Sequence, residues 1–237
     1  MIQFFSPDIE STLKLPESDS RHCCRVLRMQ PGDKVVVVDG RGNRYVCRLL
    51  DDNCKHTSVE IVEREQVFPV WHNNVTIMVA PTKHNDRMEW LMEKLVEVGI
   101  NRFVPIRCRH SERKEIKRER LEKIAVSAMK QSLKATLPQI SEMMPLAHAV
   151  ETFAADQKFV GYCDDAVSRK LLAKEYVAGK DVNILIGPEG DFSPEEIEML
   201  LARQYLPVTM GDNRLRTETA ALVAATTVHV INQLNTN

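Results

Sequence analysis

The chain has no C-x-x-C pair and no zinc-type spacing of cysteine and histidine, although six cysteines stand at positions 23, 24, 47, 54, 108 and 163. No metal site is therefore expected. Scattered thiols fit a reducing compartment better than a disulfide scaffold, so a cytoplasmic protein is expected. The adjacent Cys23 and Cys24 read as small buried hydrophobes before they read as a redox pair. No window is long and apolar enough to span a bilayer, and Met1 to Pro7 lacks the basic start and apolar core of a signal peptide. No membrane partner is expected. A dinucleotide loop is also missing, because Gly40-Arg41-Gly42 has no third glycine and no helix opens after it. Nor does a large net charge announce a nucleic-acid partner, the total being −1.

That total conceals an uneven distribution. Between Lys83 and Lys134 there are 14 Lys and Arg against 8 Asp and Glu, and from there to the C-terminus 8 against 14. A basic middle suits a phosphate-facing surface. The alternating signs from Lys114 to Lys123 suit equally a solvated helix face laced by i,i+4 pairs. With 237 residues, 43% of them hydrophobic, the chain has enough material for one large or two modest domains.

The most informative stretch runs from Asn183 to Ala220. Val182, Ile184, Leu185 and Ile186 form a short apolar run that suits a buried parallel strand. It stops at Gly187-Pro188-Glu189-Gly190, where two glycines let the backbone bend and approach a ligand. Ser193-Pro194-Glu195-Glu196 then opens a helix, with Ser193 as N-cap, Pro194 at N1 and Glu196 closing a capping box. A second strand, Leu206 to Met210, ends at Gly211, and Leu215-Arg216-Thr217-Glu218-Thr219-Ala220 leads into a final helix. Two strands that each end in a glycine loop before a helix place both loops at the carboxyl edge of a sheet, where α/β proteins bind ligands.

Upstream, Met1 to about residue 70 reads as a small β-rich domain. Val35–Val38 and Tyr45–Leu50 flank the turn cluster Asp39–Asn43 as a hairpin, and Ser58–Val62 supplies another strand. Ser20 to Arg28 has a helical look, and Arg21, Arg25 and Arg28 at helical spacing would share one face. Polar Glu63 to Asn74 reads as the linker. From residue 71 to 237, strands (Val75–Ala80, Arg102–Ile106, Lys158–Cys163) alternate with helices (Arg87–Val98, Arg118–Leu133). This is the pattern of an α/β domain with a mostly parallel sheet.

The segments IGPEGDFSPEE and RLRTETAAL resemble the signature loops of the RsmE family, SPOUT-class methyltransferases that modify a uridine of small-subunit (16S) ribosomal RNA at N3. Similarity extends from HCCRVLRMQPGD through KHNDRMEWLMEKLVEVG. The sequence departs from the family at Asp191, where Gly is usual. The resemblance implies a PUA-like β-barrel that binds RNA over residues 1–70 and a SPOUT domain over 71–237 with a C-terminal trefoil knot. It further implies S-adenosyl-L-methionine held by Leu185, Ile186, Gly187, Pro188, Glu189, Gly190, Met210, Gly211, Leu215, Arg216, Thr217, Thr219 and Ala220, and a pocket completed in a homodimer. Ribosomal RNA is the implied partner, with Arg21, Arg25, Arg28, Lys83, Arg87 and Arg109 as its expected contacts.

Methyl transfer to uridine N3 asks for a base to remove the proton and a cation to steady the neighbouring carbonyl oxygens. Arg216 is the candidate cation, the alternative being a salt bridge to Glu218 or Glu189. Glu218 is the candidate base, the alternative being a favourable charge in the first helical turn. Thr217 and Thr219 are divided between ligand contact and N-cap. His229 reads as structural. A transfer-RNA substrate and a catalytically silent RNA-binding protein are the competing functions, and the glycine-lined loops speak against the second.

Overall fold

The structure, a computed structural model, describes residues 2–68, 72–163 and 167–235. It divides into two compact units, Met1–Pro69 with Val126–Leu137, and Val70–Ala125 with Pro138–Asn237.

The first unit is a four-stranded sheet in the order β1 (Gln3–Phe5), β2 (Lys34–Val38), β3 (Asn43–Leu49), β4 (Val59–Gln66). β1 and β2 pair in parallel and the other pairs are antiparallel. β2 is a run of valines, stiff at χ1 and well suited to a pleated surface. β3 alternates, with Tyr45, Cys47 and Leu49 turned to a core that includes Phe4, Ile9, Leu15 and Val35. β4 is an edge strand studded with charge, which blunts pairing with other chains. It runs to Gln66, so Glu63 to Gln66 belong to the sheet and not to a linker. Residues 69–71 of the expected linker lie outside the described residues.

Two short helices, α1 (Ile9–Thr12) and α2 (Glu17–Arg21), precede β2, and α2 runs into a single π-helical stretch, His22–Val26. The wider turn changes the helical period. Arg28 follows with φ 53°, beyond the helix, so the arginines do not form the simple one-face stripe that their spacing suggests. Cys23 is buried there, and burial raises its thiol to about 11, which suits a packing role. The segment Val126–Leu137 is tied to the same unit. Gln3 Nε2 donates to the Lys134 carbonyl at 2.8 Å, Lys130 pairs with buried Asp19 at 2.9 Å, and the Leu137 N–H donates to the Gly40 carbonyl at 2.9 Å.

The second unit contains β5 (Val75–Val79), α3 (Asn85–Val98), β6 (Arg102–Arg107) and α4 (Arg118–Gln131), the last of which ends in the first unit. It continues with β7 (Gln139–Ile140), β8 (Met144–Pro145), α5 (Leu146–Thr152), β9 (Gln157–Gly161), β10 (Lys170–Leu171) and α6 (Leu172–Glu175). β11 (Val182–Ile186), α7 (Pro194–Ala202), β12 (Leu206–Thr209) and α8 (Thr217–Leu234) complete it. The sheet order is β10-β12-β9-β11-β5-β6-β7, with β8 also on β6. Every pairing is parallel. β5 and β11 are buried along their whole length, as central strands covered on both faces require. β7, β8 and β10 are two residues long, too short to leave a periodic trace in the sequence.

α3 buries Met88, Leu91, Met92, Leu95 and Val96 and stops at Gly99, whose φ of 108° suits glycine and whose N–H donates to the Leu95 carbonyl at 2.9 Å. α8 presents Ala220, Ala221, Ala224, Ala225 and Val228 inward, and it packs on α3, β5 and β11. A closed triangle of hydrogen bonds joins Asn73, Tyr176 and Asn232, satisfying three buried polar groups at once.

Helix α7 starts with the expected capping box: Ser193 Oγ accepts from the Glu196 N–H at 3.3 Å, and the Glu196 carboxylate accepts from the Ser193 N–H at 2.9 Å. Ser193→Ala will lower the unfolding free energy by about 1 kcal/mol in urea denaturation; an unchanged midpoint would mean that solvent replaces the cap.

Candidate active site at the carboxyl edge of the parallel sheet

Parallel register sets the site. Gly161, the last residue of β9, is level with Ile186 of β11 on one side and Val208 of β12 on the other. All three strands point the same way, so the loops that follow them emerge on one edge. Between them lies a cavity of about 930 Å³.

The loop after β11, Gly187 to Asp191, is held from several directions. Thr217 Oγ1 donates to the Gly187 carbonyl at 3.1 Å, which assigns that hydroxyl to the loop and not to a helix cap. The Lys83 N–H donates to Glu189 at 3.3 Å, and the His110 Nδ1–H lies 3.1 Å from the carbonyls of both Gly190 and Asp191, so Nδ1 carries the proton. A side chain at Gly187 would meet the Phe192 ring at 2.9 Å, which explains the glycine by close approach.

Asp191 takes a φ of 61°, the left-handed conformation that the usual glycine adopts freely and Asp tolerates. Its carboxylate accepts from the Cys163 N–H at 3.0 Å and from the Phe192 N–H at 2.9 Å. The departure from the family pattern thus keeps the backbone turn and adds a tie between the loops after β9 and β11. Burial first, and then the Asp191 charge, raise the Cys163 thiol above its usual range, while Arg214 and Arg169 oppose the rise.

Ile186, Gly187, Pro188, Glu189, Met210, Gly211, Leu215, Arg216, Thr217, Glu218 and Ala220 line the cavity, which brings together most of the residues singled out from the sequence. Leu185, Gly190 and Thr219 do not line it; Leu185 is fully buried in the core. Residues that sequence reasoning missed are Gly161, Tyr162, Cys163, Arg169, Val208 and Thr209, whereas Asp191, Asp212, Asn213 and Arg214 stand in the stretch singled out from the sequence but were not named as site residues. A signal was present for the first of these, since Gly161 stands at the end of its strand much as Gly187 directly follows β11.

Arg216 is the N-cap residue of α8, is exposed, and makes no ion pair with Glu218 or Glu189 among the described residues. Arg87 lines the same cavity and pairs with Glu218 at 3.7 Å. Of the other expected RNA contacts, Lys83 pairs with Glu112 at 3.4 Å, Arg109 with Glu195 at 3.0 Å and Arg21 with Glu17 at 2.6 Å. Arg25 and Arg28 are exposed without an ion pair among the described residues. Exposed pairs are worth only about 0–1 kcal/mol, so a phosphate competes with them easily. The basic middle segment is partly laced as the alternating charges suggest, through Arg118 with Glu122 at 2.7 Å. No cluster of metal-ligating side chains occurs among the described residues, and no helix among them is long and apolar enough to cross a membrane.

Fold and site therefore define an α/β protein with a ligand crevice at the carboxyl edge of its sheet. A family model described as an RNA methyltransferase domain matches residues 70–229, and one described as an RNA methyltransferase PUA domain matches residues 15–62. Ribosomal RNA small subunit methyltransferase E of Aquifex aeolicus is 29% identical over 229 residues, covering 92% of this chain and 95% of its own. The protein of the same name from Bacillus subtilis is 25% identical, covering 92% and 89%. Among solved structures, a probable rRNA-methyltransferase from Porphyromonas gingivalis superposes with a TM-score of 0.94 at 44% identity over 99% of both chains. The Neisseria gonorrhoeae ribosomal RNA small subunit methyltransferase E, bound to S-adenosyl methionine, gives 0.85 at 25% identity over 98% of both. The chain belongs to the RsmE family of RNA methyltransferases.

The left-handed turn at Asp191 yields a stability ordering. Asp191→Ala will be less stable than Asp191→Gly by about 1 kcal/mol in urea denaturation, because alanine keeps the backbone strain that glycine relieves. Equal stabilities would show that the loop relaxes out of this conformation.

Proposed function

We propose that the protein transfers a methyl group from S-adenosylmethionine to N3 of a uridine in the 16S RNA of the small ribosomal subunit. The observation that carries this reading is the single cavity wall built from the GPEGD loop, the strand end at Met210-Gly211 and the LRTE segment. In this wall a nine-tenths-buried carboxylate, Glu218, has an oxygen with no hydrogen-bond partner among the described residues. Such a wall suits a cofactor bound largely through backbone groups: the glycines admit close approach, and the free oxygen awaits a donor. Relatives that carry this cofactor support the choice.

S-adenosylmethionine supplies, when bound, a methyl group already activated on a sulfonium. The tasks left to the chain are alignment, proton removal and charge stabilisation. Backbone of Ile186 to Glu189 and of Met210-Gly211 would hold the cofactor, with Leu215, Thr217 and Ala220 closing against it. Glu218 accepts the proton of the uridine N3–H. Arg216, exposed at the mouth and without an ion pair, stands ready for the carbonyl oxygens on which the N3 anion places its charge. The target base must leave its stack to reach the cavity. In the same reading the first unit, with Arg21, Arg25 and Arg28, binds RNA while the second performs the transfer, its C-terminal strands threaded as a trefoil knot. The enzyme acts in the cytoplasm as a homodimer.

Purified protein incubated with methyl-labelled S-adenosylmethionine and unmodified small subunits will place the label in 3-methyluridine, identified by mass spectrometry of the digested RNA. Label in another nucleoside would overturn the uridine assignment. Arg216→Ala will lower kcat by about 10²-fold or more while leaving cofactor affinity by calorimetry within a factor of about two. Undiminished turnover would remove Arg216 from the reaction.

A further inference from the structure

Arg87 and Glu218 stand in the first turns of two helices that pack together, α3 and α8, and both line the cavity. Glu218 is 6% exposed. Its Oε1 lies 3.7 Å from Arg87 Nε, an ion pair too long to count as a hydrogen bond. Its Oε2 is buried and has no hydrogen-bond partner among the described residues. Burying a charged acceptor unsatisfied costs more than burying a neutral one. The dipole of α8 offsets part of this, since a carboxylate in the first turn faces the positive end.

For Arg87 the helix dipole acts in the opposite sense. A guanidinium in the first turn of α3 faces that helix's positive end and contributes nothing to it. Its side chain is nonetheless drawn to 31% exposure and set beside Glu218. The other cations on the cavity wall are placed differently. Arg169 donates to the carbonyls of Tyr162 and Cys163, both at 3.1 Å. Arg214 and Arg216 lie exposed on the segment after β12. Arg87 is the cation that meets the buried carboxylate, and it engages one oxygen while leaving the other.

We infer that Arg87 is a positioning residue of the reaction, holding the Glu218 carboxylate so that Oε2 is left to accept the acidic N–H of the target base. This rests on the methyltransferase reading above, and it gives Arg87 a task other than contact with RNA phosphate. Among the basic residues of the middle segment, Arg87 acts through the site and not through the backbone of the RNA.

The test is a double-mutant cycle with Arg87→Met, which keeps the aliphatic stem, and Glu218→Gln, which keeps the shape. Steady-state kinetics are read together with cofactor affinity by calorimetry and with melting temperature. Arg87→Met will lower kcat by about tenfold or more at unchanged cofactor Kd and unchanged KM for RNA, and Arg87→Lys will recover part of the loss. The double variant will be no slower than Glu218→Gln alone, since Arg87 then has nothing to position. Fully additive losses would overturn the inference. So would a raised KM for RNA at intact kcat, which is the mark of a phosphate contact, or a tenfold weaker cofactor Kd shared by both single variants, which would assign Glu218 to the cofactor. Should Arg87→Met melt early, the cycle built on Arg87→Lys carries the same comparison. The cycle is run on whichever RNA the wild-type protein methylates. A wrong uridine assignment would therefore appear in the product nucleoside, and a wrong role for Arg87 in the ratio of rates.

Discussion

Parallel pairing of β9, β11 and β12 is the constraint on which the site depends. Because the hydrogen bonds of a parallel ladder are evenly spaced, strands in register end at the same level, and Gly161 is level with both Ile186 and Val208. Three loops distant in sequence therefore begin side by side, those after β11 and β12 each one strand from the loop after β9. A shift of one residue in β11 would turn Ile184 and Ile186 out of their own layer of the core and withdraw Gly187 from Thr217. The cavity is thus a property of the register before it is a property of any side chain.

Around that frame, the loop from Gly187 to Asp191 is fixed by groups supplied from four other segments. Thr217, Lys83, His110 and Cys163 each place a hydrogen bond on it. All four use the loop's own carbonyls or carboxylates as acceptors. Its preorganisation therefore comes largely from neighbours, with one internal turn bond in which the Asp191 N–H donates to the Pro188 carbonyl at 2.9 Å. Asp191 shows how such a loop changes without losing its shape. Left-handed geometry is retained, and the added carboxylate is satisfied by two backbone N–H groups and so is not left as an idle charge.

Charge on the cavity wall is mixed, with Arg87, Arg169, Arg214 and Arg216 alongside Glu189, Asp191, Asp212 and Glu218. Asp191 is hydrogen-bonded within the chain, whereas Glu218 retains an oxygen without a partner among the described residues. That contrast separates a carboxylate that braces the site from one that is available to a ligand. The first unit uses its polar groups differently. Asp19 serves one strand backbone and one lysine, accepting from the Phe5 N–H and from Lys130, and so ties β1 to the end of α4.

Local chemistry made much of this legible in advance. The buried run Val182–Ile186, the capping box at Ser193 and Glu196, the stop at Gly99 and the valine strand Lys34–Val38 are each decided by interactions within a few residues. The sequence by itself therefore determined those elements, and with them the alternation that leads to a parallel sheet. The motif also pointed to about half of the cavity wall. What it did not reveal depends on partners far along the chain. Burial of Glu218 beside Arg87 follows from the packing of α8 on α3, and the π-helical stretch His22–Val26 lies between Arg21 and Arg28 without a local signal that announces it. The tie from Asp191 to Cys163 follows from strand order, and the assignment of Val126–Leu137 to the first unit from its bonds to Gln3, Asp19 and Gly40. Only the tertiary structure decided these, because a side chain's partner is set by which strands and helices become neighbours, and that choice is made by the whole core and not by the residues on either side.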